Sequence, residues 1–230
     1  MEYSSMENAT DIYKSYLIFG ASKTGKTMLA STLPSSEVLF VNTENNIDSL
    51  SGSKIIKANC FSEKDFLEVI NDIQSGKMPK LKWLFIDSIT DLVQKIYNEV
   101  FKRVKDGRQA YGEFELKYND LMDKLKSLPC NVVCIAQQGY IKDEITGGMI
   151  FGATLTWAKL QQGLPYKFSA VLATRTIKDE KGNDIYVIQC LPCPQYAVGV
   201  RTKFGEPNPL QGFEAPNLMA IHNKILGLKN

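Results

Sequence analysis

Residues 20–27 read Gly20-Ala21-Ser22-Lys23-Thr24-Gly25-Lys26-Thr27, a full G-x-x-x-x-G-K-[ST] pattern. It constrains the fold more than any other stretch, because it works only where the chain bends from a strand into a helix. Both neighbours are in place: residues 16–19 form an apolar run that reads as a strand, and 27–33 can be helical. Glycines let the backbone wrap closely around an anion, with successive N–H groups pointing inward. The helix N-terminus adds partial positive charge beneath. The pattern predicts a nucleoside-triphosphate site built from Gly20, Ala21, Ser22, Lys23, Thr24, Gly25, Lys26, Thr27 and Met28. Within it Lys26 reaches the β- and γ-phosphates, and the Thr27 hydroxyl ligates Mg2+. The plain alternative, a glycine-rich turn matching by chance, is disfavoured by the strand–loop–helix context.

At 230 residues the chain fits one large α/β domain. A net charge of +2 supplies no global field for nucleic acid, so any such surface must be local. The first fourteen residues are polar and mixed in charge, unlike a signal peptide, and no apolar run approaches the ~20 residues that cross a bilayer. A soluble, cytoplasmic protein without membrane partners is expected. Five cysteines, Cys60, Cys130, Cys134, Cys190 and Cys193, without secretory context are expected as free thiols. Cys190 and Cys193 invite a zinc reading with Cys130 and Cys134 as the second pair. However, Cys134 lies within a strand run, where four residues span ~13 Å, too far for both to reach one metal. His222, the single histidine, falls in an apolar-periodic C-terminal segment and reads as a structural helix residue.

Strand-like runs at 16–19, 37–42, 54–57, 82–87, 131–136, 167–176 and 185–191 alternate with helical patterns at 64–74, 88–104 and 111–127. Such alternation implies parallel strands joined by helical crossovers. The turn signal at 181–184 joins the last two runs into an antiparallel edge hairpin. A Pro/Gly-rich stretch, 205–216, precedes a final helix at 217–226. The expected fold class is α/β: a mostly parallel twisted sheet flanked by helices, with an antiparallel edge and a C-terminal helix. Residues 15–230 form the single domain. Residues 1–14 form a tail whose Tyr3, Met6 or Tyr13 could dock on a neighbour or fray.

Asp87 ends the apolar run at 82–87, where a carboxylate can hold a metal's coordination shell through water. Ser88, not Glu, comes next, so a hydrolytic base must come from elsewhere. Glu44, just beyond the second strand, is the candidate, because ligands of open α/β sheets sit outside the carboxyl ends of the strands. A solvated loop carboxylate is the alternative. Gln137, with Gln138, ends the run at 131–136, where a side-chain amide can sense a γ-phosphate.

The segments GASKTGKT, FVNTENNID (40–48), FIDSITDL (85–92) and CIAQQ (134–138) together resemble the ATPase core of the RecA-like recombinases. The closer resemblance is to the phage-encoded RecA-like nucleotide-binding proteins of single-strand annealing and recombination. It covers residues 15–226. It implies a P-loop ATPase core using ATP and Mg2+, with Lys26, Glu44 as base, Asp87 and Gln137 as the catalytic set. Single-stranded DNA is the implied partner, with a homo-oligomer (ring or filament) and a single-strand-binding protein as further partners, in the host cytoplasm if phage-encoded. RecA's large C-terminal domain has no counterpart here.

In RecA-like proteins two loops hold the DNA. The matching regions here are 102–112, with Lys102, Arg103, Lys105, Arg108 and Tyr111, and 139–154, with Tyr140, Lys142 and Phe151. Cations neutralise phosphates, and aromatic faces stack bases without regard to sequence. The first stretch could equally be a solvated helix face. The second could be a hairpin turning at Thr146-Gly147-Gly148. A cation donated by the adjacent subunit would complete hydrolysis, and Arg175, Lys178, Arg201 and Lys203 are candidates. A hexameric helicase-type motor and a small-molecule P-loop kinase are the competing functions.

Overall fold

The strand entering the phosphate loop, β1 (Ser15–Gly20), is buried from Tyr16 onward. A run buried on both faces belongs in the middle of a parallel sheet covered on each side. The computed structural model, which describes residues 13–44, 48–143, 147–202 and 205–228, places it there. β1 pairs in parallel with β5 (Asn131–Lys142) and β7 (Ala170–Lys178). Beyond β5 lie β4 (Trp83–Asp87), β2 (Val38–Asn42) and the edge strand β3 (Ile56–Asn59), all parallel. On the other side β8 (Asp184–Gln189) and β10 (Phe213–Glu214) add antiparallel strands. The order is β10-β8-β7-β1-β5-β4-β2-β3, with β6 (Met149–Ala153) on β5 and β9 (Gly199–Val200) on β7. This is an α/β core on a mostly parallel sheet with an antiparallel edge.

Alternation along β1 divides the core. Leu17 and Phe19 face α1 (Glu63–Gln74), α2 (Ile89–Arg103) and α3 (Gly107–Lys126). Tyr16 and Ile18 face the opposite layer, the 3-10 helix Thr27–Thr32 and the C-terminal α5 (Leu218–Leu226). A short α4 (Ala158–Gly163) comes after β6. His222 is buried on α5, 2.7 Å from the Tyr16 hydroxyl through Nδ1 and edge-on to Trp83. Among the described residues no helix is long and apolar enough to cross a membrane.

Three local departures from sequence expectation matter. The segment after the phosphate loop is a single 3-10 helix, ended by Leu33 in extended geometry before Pro34, as the proline ring disfavours helical backbone in the residue before it. α3 begins at Gly107 rather than 111, because the Asp106 side chain caps it by accepting from Gln109 N–H. β5 does not stop near Ala136. It runs on to Lys142 and pairs with β6, so the 139–154 region is largely a hairpin. Thr146 of its turn lies outside the described residues.

These departures shape what stands above the carboxyl edge of the sheet. Lys117 on α3 pairs with Glu63 at the start of α1, and Ser127 meets Gln74 at its end. α3 therefore descends beside α1, and its first ten residues, Gly107 onward, rise ~15 Å past the strand ends. β5 leaves β1 at Gly20↔Gln137 and projects about 17 Å further as the hairpin. Trp157 joins the two projections, its ring 5.0 Å from Tyr111 and 6.1 Å from Phe114.

Candidate nucleotide site

Four parallel strands reach one edge side by side, with Asn42 opposite Asp87, Asp87 opposite Ile135 and Gly20 opposite Gln137. The strand ends and the residues just beyond them line one cleft of about 980 Å3: residues 20–28 from β1, Glu44 from β2, Asp87 and Ser88 from β4, and Gln137 from β5. The sequence placed these groups at one edge, and the register brings them together.

The loop's shape depends on two left-handed residues, Lys23 (φ 65°) and Gly25 (φ 88°). Gly20 has a different role. A Cβ there would stand 2.1 Å from Thr174 Oγ1 and 2.7 Å from the Thr174 carbonyl. β7 thus presses on the loop's base, and Thr174 and Thr24 share a 2.7 Å hydroxyl contact. Lys26 Nζ donates to the Gly20 and Ala21 carbonyls at 2.9 and 2.7 Å. Burial lowers its pKa, while Asp87 and then Glu44 oppose that shift.

The Thr27 hydroxyl donates to Asp87 Oδ2 at 2.5 Å. Burial pushes the Asp87 carboxyl up to about 6. The Thr27 bond and Lys26 pull it down, and Glu44 adds to the rise. A hydroxyl and a carboxylate in contact are a hard-oxygen pair of the kind Mg2+ takes alongside phosphate and water. Among the described residues no cluster of three or more His, Cys, Asp or Glu could hold a metal by itself. Mg2+ here would therefore draw its remaining ligands from the triphosphate and solvent.

Glu44 Oε1 accepts from Ser88 Oγ at 2.5 Å. Thr43, 1% exposed, is fastened to the same strand tip: its N–H bonds the Asp87 carbonyl, and its hydroxyl bonds both the N–H and carbonyl of Ser88. The Asp87–Ser88 peptide is cis. Gln137 is fixed through its backbone, N–H to Thr90 Oγ1 and carbonyl from Thr154 N–H, while its side chain is left at the cleft.

The remaining sequence candidates distribute differently. Lys102, Arg103, Lys105 and Arg108 are exposed around the α2–α3 turn, with Arg103 paired to Glu113. Tyr111 is 39% exposed and packs edge-on against Phe101. On the hairpin Tyr140 and Lys142 are exposed. Phe151 is only partly exposed: it lies 4.9 Å from Tyr140, its cross-strand partner, and 5.0 Å from Tyr196. Of the cations considered as donors to a neighbouring subunit, Arg175 is engaged within its own chain, over the rings of Tyr196 and Phe213 and bonded to Gln189. Lys178 pairs with Asp184 across the β7–β8 hairpin. Arg201 binds the Tyr166 carbonyl at the far, amino edge of the sheet. Lys203 lies outside the described residues.

Thr43, Ser88, Lys95, Thr174 and Tyr186 belong to the site's surroundings and were missed as participants. Ser88 carries a helix-start signal, Ser-x-x-Asp, that could have placed its hydroxyl. Tyr186 on β8 carries no such signal; only strand pairing brings it to the cleft wall.

A phosphate loop on β1 and an acid on β4, with β5 between them, define a P-loop nucleoside triphosphatase. The AAA domain family matches residues 12–202, and the chain belongs to that family of nucleotide-binding ATPases. A search of the curated proteins found no match.

Proposed function

We propose that the protein is a RecA-like ATPase of the phage annealing and recombination kind, using ATP and Mg2+ and coupling hydrolysis to single-stranded DNA. The observation that carries this reading is that the cationic α2–α3 turn and the β5–β6 hairpin rise from the same sheet edge that holds the phosphate loop. A strand of DNA crossing that edge meets Lys102, Arg103, Lys105, Arg108 and Lys142 as phosphate partners, with Tyr111 and Tyr140 as stacking faces.

In the cleft, loop N–H groups and Lys26 bind the triphosphate. Mg2+ held by Thr27 and Asp87 would neutralise charge on the β- and γ-phosphates. Glu44 orients a water for in-line attack on the γ-phosphorus and accepts its proton as the bond to the ADP oxygen breaks. Gln137 lines the cleft, where its amide would sense the γ-phosphate, and its strand continues directly into the hairpin. A homo-oligomer, ring or filament, would let a cation of the adjacent subunit meet the charge on the transferred group.

ATPase rate with and without single-stranded DNA tests this. Stimulation is expected, and it should vanish in Lys26→Ala and Glu44→Gln. Charge reversal of Lys102, Arg103, Lys105 and Arg108 should weaken DNA binding and flatten its salt dependence by about one log-log unit per lost phosphate contact. Neither binding nor stimulation at low salt would overturn the DNA reading, and phosphoryl transfer to a small metabolite would replace it with a kinase.

A further inference from the structure

A catalytic carboxylate is effective only where it is held, since a misplacement of ~1 Å can cost about 100-fold in rate. Glu44 lies past the end of β2, is exposed, and has a side chain with three rotatable bonds. The groups that fix it belong mainly to α2. The Ser88 hydroxyl has one proton and two lone pairs. It accepts from Asp91 N–H at 3.2 Å as the helix cap, and it donates its proton to Glu44 Oε1. The cap bond fixes the oxygen and occupies a lone pair, so the proton is directed at the carboxylate. One carboxylate oxygen is thereby anchored and the other remains able to accept from water. One residue before Glu44, the Thr43 carbonyl accepts from Lys95 Nζ at 2.7 Å, and Lys95 is itself paired with Asp91 one helical turn earlier. The Lys95 and Asp91 side chains are 23% and 30% exposed, so the bond is partly shielded from solvent.

We propose that Ser88 and Lys95 are positioning residues for the Glu44 base, so that helix α2 sets where the base stands. This rests on the hydrolytic role proposed for Glu44. Ser88 fixes the carboxylate itself, and Lys95 fixes the backbone from which it springs. Their hydrogen bonds are made to Glu44, Asp91 and the Thr43 carbonyl, so their removal should act on turnover more than on nucleotide binding.

The test is steady-state hydrolysis and fluorescent-ATP affinity on the full chain. Ser88→Ala should lower kcat about 10- to 100-fold with nucleotide affinity within about twofold. Because it also removes a helix cap, Ser88→Asp is the second variant. Its carboxylate still caps α2 but has no proton to donate and places like charge beside Glu44. At a site 1% exposed this charge lowers Tm as well, and kcat should fall at least as far while nucleotide affinity is kept. Ser88→Thr keeps both bonds and should restore turnover, and Lys95→Met should lose about tenfold in kcat. Parent-like kcat in Ser88→Ala and Ser88→Asp overturns the inference, as does a parallel fall of Tm, affinity and kcat in both. The Glu44→Gln variant separates the two claims. If it still hydrolyses ATP, the base assignment itself fails. If it is inactive while the Ser88 variants are not, only the positioning role fails.

Discussion

Asp87→Asn should make the nucleotide-free protein more stable while abolishing hydrolysis. The carboxyl is 8% exposed, and its pKa stands at about 6 against an ordinary 3.8, with burial as the largest cause. Each unit corresponds to about 1.4 kcal/mol, so the folded state carries a penalty of about 3 kcal/mol for the charged form at pH 7. Proton counts give the sign. Between pH 3.8 and about 6 the folded protein keeps a proton that the unfolded chain has released, so stability falls as pH rises through that window. Asparagine removes the charge and keeps an oxygen for the Thr27 hydroxyl. Urea unfolding should therefore show a gain approaching 3 kcal/mol at pH 7, and about half of that at pH 5, where part of the parent protein is already protonated. The His222 titration is common to both proteins and cancels in the difference. ATPase activity should drop by about two orders of magnitude or more, since the proposed Mg2+ site loses its anionic ligand. A variant less stable than the parent at pH 7, or a gain that does not shrink at pH 5, would refute the reasoning.

Two further perturbations probe the supports of the site. Gly20→Ala puts a methyl 2.7 Å from the Thr174 carbonyl, so β7 or the loop must shift. Nucleotide affinity should fall at least about tenfold, with about 1–3 kcal/mol of stability lost, and an unchanged affinity in titration would contradict this. Burial, and then the Lys14 charge, hold the His222 pKa at about 4. The unfolded chain therefore takes up this proton first, and His222 contributes a decline of about 3 kcal/mol as pH falls from 6.5 to 4, which the opposite Asp87 contribution offsets in the parent over much of that range. His222→Asn lacks the decline, so denaturation curves should show its stability relative to the parent rising by about 3 kcal/mol as pH falls across the same range.

How far each determinant could be read from the sequence depends on how local it is. The phosphate loop is a contiguous pattern whose glycines and lysine act through their own backbone neighbourhood, so residues 20–28 could be read directly. Glu44 and Asp87 were readable because each lies at the end of an apolar run, and strand ends of a parallel sheet share an edge. Ser88's bond to Glu44 spans 44 residues and depends on a hydroxyl rotor, which no spacing encodes. The extent of β5 was hidden for another reason. Gln137 to Lys142 is polar and glycine-containing, unlike the buried half of the strand, because it pairs only with β6 outside the core. Phe151 read as a stacking face because the rings that cover it come from Tyr140 on the partner strand and from Tyr196 more than forty residues away.

The continuity of β5 also decides how a signal could leave the cleft. At Gln137 the backbone N–H and carbonyl are both bonded, to Thr90 on α2 and to Thr154 beyond β6, and Thr90 Oγ1 itself donates to the Thr154 carbonyl. Three elements thus meet at one residue whose side chain is left at the cleft. The backbone there cannot move alone, because shifting it breaks bonds to α2 and to the hairpin base together, each worth about 1 kcal/mol. α2 carries Ser88 at its cleft end, Lys95 about two turns along, and the cationic turn at the other end, about 22 Å from Ser88. With α2 positioning the Glu44 base as proposed, a displacement of the hairpin would pass through Thr90 to that helix, and a displacement of the turn would pass along the same helix to Gln137. Thr90→Val should separate the two. It leaves the phosphate loop, Glu44 and Ser88 intact, so unstimulated hydrolysis should persist, while any stimulation by DNA bound to the hairpin should fall severalfold. Equal stimulation in Thr90→Val and the parent, measured at saturating DNA, would break this link.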